Sequence, residues 1–191
     1  MTRLGIAVLA LLILSPAAHA DDMAGLEFLA GFGSTQRNDV EGGDAPEYDL
    51  KTTFGVSPWW ETPLGKSASV GGELNFLWFK GESDEYRRRL VVNPHARLRM
   101  SFPIVPDVTF DGFLSVGPSW WTSNDESGAG IAGKSNRFGW GVRFGFGGSY
   151  MINQSVQAYT HIGYLSTTSY GSQLTIEAES IPFALGLRAS Y

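Results

Sequence analysis

The last eleven residues of the chain, 181–191, alternate without a break between apolar side chains and small or polar ones. A period of two is typical of a β-strand whose two faces meet different environments. About 9–11 tilted residues are also enough for a β-strand to cross a bilayer. In water, a strand that ends on an exposed aromatic residue would promote aggregation. The segment therefore predicts a membrane-spanning strand with Tyr191 at the lipid interface.

The first twenty residues have the three parts of a secretory signal peptide. Arg3 supplies a positive start, residues 4–14 are apolar, and the Ala18-His19-Ala20 triplet is a small-x-small cleavage site. The apolar stretch is too short to span a membrane as a helix. We therefore expect residues 1–20 to be removed and residues 21–191 to form one domain.

The composition excludes several classes of function. The chain has 14 basic and 19 acidic residues, and this acidic balance argues against nucleic acid as a partner. Because there is no cysteine, neither a disulfide framework nor a thiolate site can form. The 24 glycines and the 13% of aromatic residues are together typical of small β-barrels. No cofactor and no metal site are predicted.

Seven further segments show the same alternation as the terminal strand. The apolar faces of the eight segments cover residues 24–32, 48–56, 70–78, 90–102, 108–120, 138–146, 156–164 and 181–191. No stretch after residue 20 keeps a helical apolar period for three turns. The sequence therefore predicts an all-β fold, an eight-stranded antiparallel up-and-down transmembrane β-barrel.

The predicted connections alternate between long and short. The long ones lie at Ser34–Glu47, Lys80–Arg88, Thr122–Asn136 and Ser166–Thr175, and the short ones at Ser57–Ser67, Pro103–Asp107 and Met151–Gln154. Outer-membrane barrels have an even number of strands, with long loops at one end and short turns at the other. We therefore expect the protein in the outer membrane of a Gram-negative bacterium, with its long loops outside the cell.

Large aromatic residues fall near the predicted strand ends, as expected of the interfacial girdles of a membrane barrel. The periplasmic girdle is predicted to contain Trp59, Trp60, Phe102, Tyr150 and Tyr191. The outer girdle is predicted to contain Trp78, Trp120, Trp121, Phe138, Trp140 and Tyr164. Pro94 and Pro118 lie inside predicted strands that have no free edge, so a local irregularity is expected at both.

The residues between the apolar positions form the predicted inward face, which is strongly charged. Its polar members are Glu27, Asp49, Lys51, Glu73, Asn75, His95, Arg97, Arg99, Asp111, Arg143, Gln157, His161 and Arg188. Eight strands enclose a space that side chains can fill, and charges there would pair because an unpaired buried charge is costly. We therefore predict an interior polar network of Glu27, Glu73, Arg97, Arg99, Asp111, Arg143 and Arg188.

Two alternatives remain open for the inward face. Arg97 and Arg99, two residues apart on one strand, would line an anion path if the interior conducts. His95 and His161 would serve in catalysis or metal binding if a carboxylate partner lies beside them, and otherwise they fill polar space.

Three consecutive arginines, Arg87, Arg88 and Arg89, lie where a long loop enters the fourth segment. Guanidinium groups bind phosphate in a bidentate manner, so this run is a candidate contact with lipopolysaccharide. The alternative is a solvated run that is balanced by the neighbouring acidic residues Glu82, Asp84 and Glu85.

The chain resembles the small eight-stranded outer-membrane barrels, the class of the OmpA transmembrane domain, OmpX and the opacity proteins. The specific part of this resemblance is at the C-terminus, where Gly186 and Tyr191 match the signal that the barrel-assembly machinery reads. Ala189 stands where that signal has a larger hydrophobic residue. The resemblance implies outer-membrane lipid, lipopolysaccharide and the assembly machinery as partners.

Some barrels of this size modify lipid A, and the deacylase type has a His-x-Ser pair on one strand. Here Gly163 follows His161 at that spacing and Arg97 follows His95, so neither pair is present. We therefore expect a non-enzymatic barrel of structural or surface-interaction type. A narrow porin-like channel, a lipid A-modifying enzyme and a soluble periplasmic barrel that binds an apolar ligand are the alternatives.

Overall fold

The computed structural model is a closed barrel of eight antiparallel strands in which each strand pairs with the next and the last pairs with the first. It describes residues 22–40, 47–81, 89–123, 136–170 and 174–191. The strands are β1 Met23–Val40, β2 Glu47–Pro63, β3 Ala68–Gly81, β4 Arg89–Val105, β5 Val108–Ser123, β6 Asn136–Met151, β7 Val156–Tyr170 and β8 Leu174–Ser190. The predicted fold class and strand order are thereby confirmed.

The strands are longer than the alternating segments that predicted them. β1 continues to Val40 and β7 to Tyr170, so both strands enter segments that were predicted as long loops. The first two short connections shrink to residues 64–67 and 106–107, and the third keeps its length and shifts by one residue to 152–155. These three turns share one end of the barrel, the turn end, with the first and last described residues, where the Tyr191 amide donates to the Asp22 carbonyl at 3.1 Å. The opposite end is called the far end below. Among the described residues there is no helix long and apolar enough to span a membrane.

The alternation of apolar and polar residues along the sequence corresponds to an alternation of exposed and buried side chains in the structure. On β8, Phe183 and Leu185 are 45% and 57% exposed, whereas Ala184 between them is 1% exposed. The same contrast recurs on β4, where Leu98 is 44% exposed and the flanking Arg97 is 1% exposed. The exposed apolar side chains form a continuous outer belt around the wall, and polar and apolar side chains share the interior.

A bulge on β1 exchanges the two faces of that strand. The pairing of β1 with β8 shifts between Phe32 and Thr35, and Gly33 has a φ of 55°. This left-handed conformation is readily adopted by glycine and is strained for other residues. Beyond the bulge, Ser34 and Gln36 are the buried residues, so the inward positions change from odd to even numbers.

A register shift on β2, between Leu50 and Thr52, has the same effect. The sequence analysis assigned Leu50 to the outer face and Asp49 to the inner one. The structure corrects both assignments, because Leu50 is buried inside and Asp49 is exposed. The side chain of Lys51, also predicted inward, lies outside the described residues.

The two prolines inside strands occupy one interruption of the β4–β5 pairing. The pairs Val92 with Trp120 and Ala96 with Val116 flank this interruption and have the same register on both sides. That register places Pro94 opposite Pro118, so the two residues that lack an N–H group share this one interruption. The expected irregularity is therefore a gap in one ladder, without a bulge.

The bulge on β1 gives a test that depends on backbone conformation alone. An added methyl group at Gly33 or at Gly65 would meet no atom within 4 Å, and of the two only Gly33 has a positive φ. We expect Gly33→Ala to lower the free energy of unfolding by about 1 kcal/mol. Gly65→Ala, the matched control, should not lower it. Urea titration in lipid vesicles, followed by tryptophan fluorescence, measures both. Equal losses in the two variants would contradict the account.

Candidate functional site

The seven residues predicted as an interior polar network lie together inside the barrel, and each is at most 4% exposed. An eighth member, Glu61, lies among them and is 1% exposed. These residues are called the charged layer and comprise Glu27, Glu61, Glu73, Arg97, Arg99, Asp111, Arg143 and Arg188.

Arg97 is the centre of the charged layer. Its Nε donates to Glu61 Oε1 at 2.8 Å, and its Nη1 donates to Glu73 Oε2 at 2.6 Å and to Glu27 Oε1 at 3.2 Å. The guanidinium also lies 4.9 Å from the ring centroid of Trp59 and 4.2 Å from that of Phe113. Three carboxylates and two aromatic faces therefore hold one cation in a single position.

Arg143 shares two of these carboxylates with Arg97. Its Nη1 lies 2.6 Å from Glu27 Oε1 and 3.4 Å from Glu73 Oε2. Its guanidinium lies 4.7 Å from the centroid of Phe113. The two arginines and the two glutamates thus form a closed ring of ion pairs, which offsets the cost of burying each charge.

The remaining charges continue the layer towards the turn end. Arg99 Nε donates to Glu61 Oε2 at 2.5 Å, and its Nη1 lies 3.1 Å from Asp111 Oδ1. Arg188 Nη1 lies 3.1 Å from the other oxygen of Asp111, and its Nε donates to Gln157 at 2.8 Å. The charged layer therefore holds four arginines and four carboxylates and is neutral as a whole.

Sequence reasoning missed Glu61 because it assigned residues 57–67 to a turn. The structure continues β2 to Pro63. A signal was present, since Glu61 has the same parity as Thr53 and Ser57, which point inward. The two tryptophans and the prolines of this segment concealed its strand character.

Two predicted girdle residues lie inside the barrel. Trp59 is 2% exposed and donates from Nε1 to the hydroxyl of Tyr159 at 2.7 Å. Trp121 is 3% exposed and stacks on Phe79, with ring centroids 6.0 Å apart. In each Trp-Trp pair one ring points in and the other out, as strand geometry requires. The girdle assignment of Trp59 and Trp121 was therefore wrong.

A second interior layer, which the sequence analysis did not predict, consists of apolar side chains. This apolar layer comprises Leu29, Leu50, Leu77, Phe79, Val91, Trp121, Leu165, Ile176, Ala178 and Ala184. It is displaced towards the far end, since Leu29 follows Glu27 on β1 and Leu77 follows Glu73 on β3. The interior is therefore filled by charges nearer the turn end and by apolar groups above them.

The two inward histidines border the charged layer. His95 Nδ1 lies 3.5 Å from Glu73 Oε1 and 3.3 Å from Ser115 Oγ. His161 Nδ1 lies 3.9 Å from Glu27 Oε2, and its ring centroid is 5.2 Å from that of Phe113. Within the described residues, no group of three or more His, Asp or Glu side chains is arranged to hold a metal ion.

The structure places the other predicted site residues as follows. Arg89 is buried and donates from Nη1 to Gln36 at 2.9 Å, whereas Arg87 and Arg88 lie outside the described residues, as does the predicted signal peptide. Gly186 faces Tyr159, and an added methyl group would lie 2.4 Å from the Tyr159 ring. Tyr191 is 48% exposed at the turn end.

The fold has counterparts among solved structures. The outer membrane protein OprG from Pseudomonas aeruginosa has a TM-score of 0.56 and 12% sequence identity, over 92% of this chain and 98% of that one. Neisserial surface protein A has a TM-score of 0.55 and 11% identity, over 92% of this chain and 100% of that one. The outer membrane protease OmpT from Escherichia coli has a TM-score of 0.52 and 8% identity, over 93% of this chain and 99% of that one.

No family model and no curated protein matches the sequence. Because the solved structures include a protease as well as a surface protein, the shared architecture leaves the activity open. The chain has the fold of small outer-membrane β-barrels.

The central position of Arg97 leads to a stability prediction. Arg97→Met removes the cation that three buried carboxylates share, and loss of one partner of a buried ion pair typically costs about 3–5 kcal/mol. We therefore expect a loss of this size in the free energy of unfolding, measured by urea titration in lipid vesicles.

The control for this variant is Arg37→Met on β1, because Arg37 is exposed on the outer wall. It has the same change in charge and side-chain shape, and it should leave the free energy of unfolding unchanged. Equal losses in both variants would show that the buried ion pairs contribute nothing specific.

Proposed function

We propose that this protein is a non-enzymatic outer-membrane barrel of structural or surface-interaction type. Its interior is filled, and its far-end segments meet the environment outside a Gram-negative cell. Residues 1–20 direct secretion and residues 21–191 form the mature barrel. The observation that carries the proposal is the two-layered interior, in which paired charges and apolar side chains occupy the space that a solute would need.

The outer belt supports a membrane location. Phe28, Phe32, Phe54 and Phe138 are each more than half exposed, and they belong to a wall whose outward side chains are largely apolar. Soluble monomers rarely expose contiguous apolar patches of this extent, whereas lipid-facing strands require them. A soluble barrel with an inward apolar face would need the opposite arrangement, with its charges outside.

The interior argues against the runner-up, an ion channel lined by Arg97 and Arg99. Both guanidinium groups are bound by carboxylates and are at most 3% exposed, so neither is free for a passing anion. Above them, the side chains of the apolar layer carry no charge and are poor replacements for the hydration shell of an ion. An ion would therefore meet two successive barriers on its way through the barrel.

The enzymatic alternative has one candidate group of side chains. Ser115 Oγ donates to Glu73 Oε1 at 2.5 Å, and His95 Nδ1 lies 3.3 Å from the same hydroxyl. All three residues are buried inside the barrel, and Glu73 is engaged by Arg97 and Arg143. A nucleophile needs a positioned base and access to its substrate, and burial denies this group the access.

The proposed partners follow from the location. Lipid would cover the outer belt, and the assembly machinery would recognise the terminal strand through Gly186 and Tyr191. Contact with lipopolysaccharide through Arg87 and Arg88 stays a prediction, since both lie outside the described residues. Arg89 points into the barrel towards Gln36 and does not share that role.

The membrane location is tested by cell fractionation. We expect the protein in the outer-membrane fraction, with faster migration on gels before heating than after it, because a closed barrel stays folded in detergent at low temperature. A soluble periplasmic fraction that contains the folded protein would overturn the proposal. The turn-end variant Gly65→Ala, whose backbone is unstrained, serves as a control for handling losses.

The filled interior is tested by planar-bilayer conductance. We expect no steady ion current through the wild-type protein, and none through an Arg97→Ala/Arg99→Ala double variant that keeps its folded gel mobility, because the apolar layer remains in place. A steady anion-selective current in the wild type that falls in the double variant would instead establish the channel.

A further inference from the structure

One wall of the interior, formed by β4 to β7, is polar at the level of the apolar layer. The register places Asn93 of β4 opposite Ser119 of β5, and Ser119 pairs with Gly139 of β6, which pairs with Ser169 of β7. The adjacent inward row contains His95, Gly117, Gly141 and Thr167. The residues of both rows, together with the indole N–H of Trp121, are called the polar row.

Several buried atoms of the polar row have no hydrogen-bond partner in the protein. They are both side-chain amide atoms of Asn93, the Oγ of Ser169, the Nε2 of His95 and the Nε1 of Trp121. Asn93 and Ser169 are 0% exposed, and the other two residues are at most 4% exposed. Buried polar groups in proteins are almost always satisfied, by protein or by ordered water.

The opposite wall behaves differently, although it carries similar side chains. There the Thr53 hydroxyl donates to Ser34 Oγ at 2.9 Å, and the Ser34 hydroxyl donates to Ser180 Oγ at 2.9 Å. These hydroxyls satisfy one another. Ser57 Oγ of the same wall lacks a partner as well, so what distinguishes the polar row is that its unpartnered atoms lie at neighbouring positions of adjacent strands.

Two of the unpartnered atoms converge at Gly141, where the wall has no side chain. A methyl group added at Gly141 would lie 2.7 Å from His95 Nε2 and 3.2 Å from Asn93 Nδ2, so both atoms face the same glycine. Beside them, the hydroxyls of Ser119 and Thr167 are 2.5 Å apart across β6, and each keeps spare hydrogen-bonding capacity. A water molecule here would have the two to four polar partners that buried waters usually have.

We propose that the polar row binds a file of ordered water molecules. The file passes beside the apolar layer and connects the far end, at Trp121 and Ser169, with His95 and, beside it, with Glu73 of the charged layer. The neighbouring side chains of the apolar layer confine it to water, so it hydrates the buried His95–Glu73 pair without admitting salts. This is a water-binding function of the interior in addition to the proposed role of the barrel.

Nuclear magnetic resonance of the wild-type protein in lipid nanodiscs tests the proposal through magnetisation transfer from water. We expect transfer to the Asn93 side-chain amide to be several-fold faster than to the indole N–H of Trp59, which is equally buried but bonded to Tyr159. Equal rates at the two groups would overturn the water file.

A variant pair tests the connection along the polar row. Asn93→Leu removes both unpartnered amide atoms, and we expect it to slow water transfer to the His95 ring several-fold. Ser34→Ala on the opposite wall is the control and should leave that rate unchanged. An unchanged rate in a folded Asn93→Leu variant would overturn the proposal. Should this variant fail to fold, the wild-type comparison of Asn93 with Trp59 decides alone.

Discussion

The ion pairs around Arg97 are the constraint on which the rest of the interior depends. A closed barrel of eight strands leaves a space that side chains must fill, and each buried charge there needs a partner. Arg97 satisfies three glutamates at once and is held between the rings of Trp59 and Phe113. The inward positions of four strands are thereby fixed relative to one another, because β1, β2, β3 and β4 each contribute one of these charges.

The separation of the interior into a charged layer and an apolar layer follows from the same constraint. Charges that are grouped can neutralise one another, whereas charges spread along the axis would each meet apolar neighbours. Grouping them leaves the remaining length to Leu29, Leu77 and the Phe79–Trp121 stack, which need no partners. The two layers then fill the interior in different ways, the first with paired charges and the second with apolar side chains.

Much of this could be predicted from parity alone. A period of two identified the eight strands and seven members of the charged layer, because inward and outward residues alternate strictly along an unbroken strand.

The errors lie where that alternation is interrupted or concealed. The register shift on β2 exchanged Asp49 with Leu50, and Trp59 and Trp121 were assigned by residue type instead of by face. Glu61 was missed as a member of the charged layer because the prolines and tryptophans of residues 57–67 made this segment resemble a turn. A sequence pattern contains no signal for a register shift apart from glycines such as Gly33, and the chain has many glycines without one.

The charged layer is neutral and therefore does not contribute to the negative net charge of the protein. The chain carries five more acidic than basic residues, and the charged layer contains equal numbers of both. The whole excess of negative charge therefore belongs to residues outside this layer. Exposed charges such as Asp39 and Asp49, on the far-end parts of β1 and β2, contribute to it. Since the outer belt is apolar and the charged layer is balanced, the exposed charges at the far end can vary without disturbing the ion pairs around Arg97. For the surface role proposed above, recognition would take place at the far end, and the ion pairs around Arg97 hold together the strands that carry it.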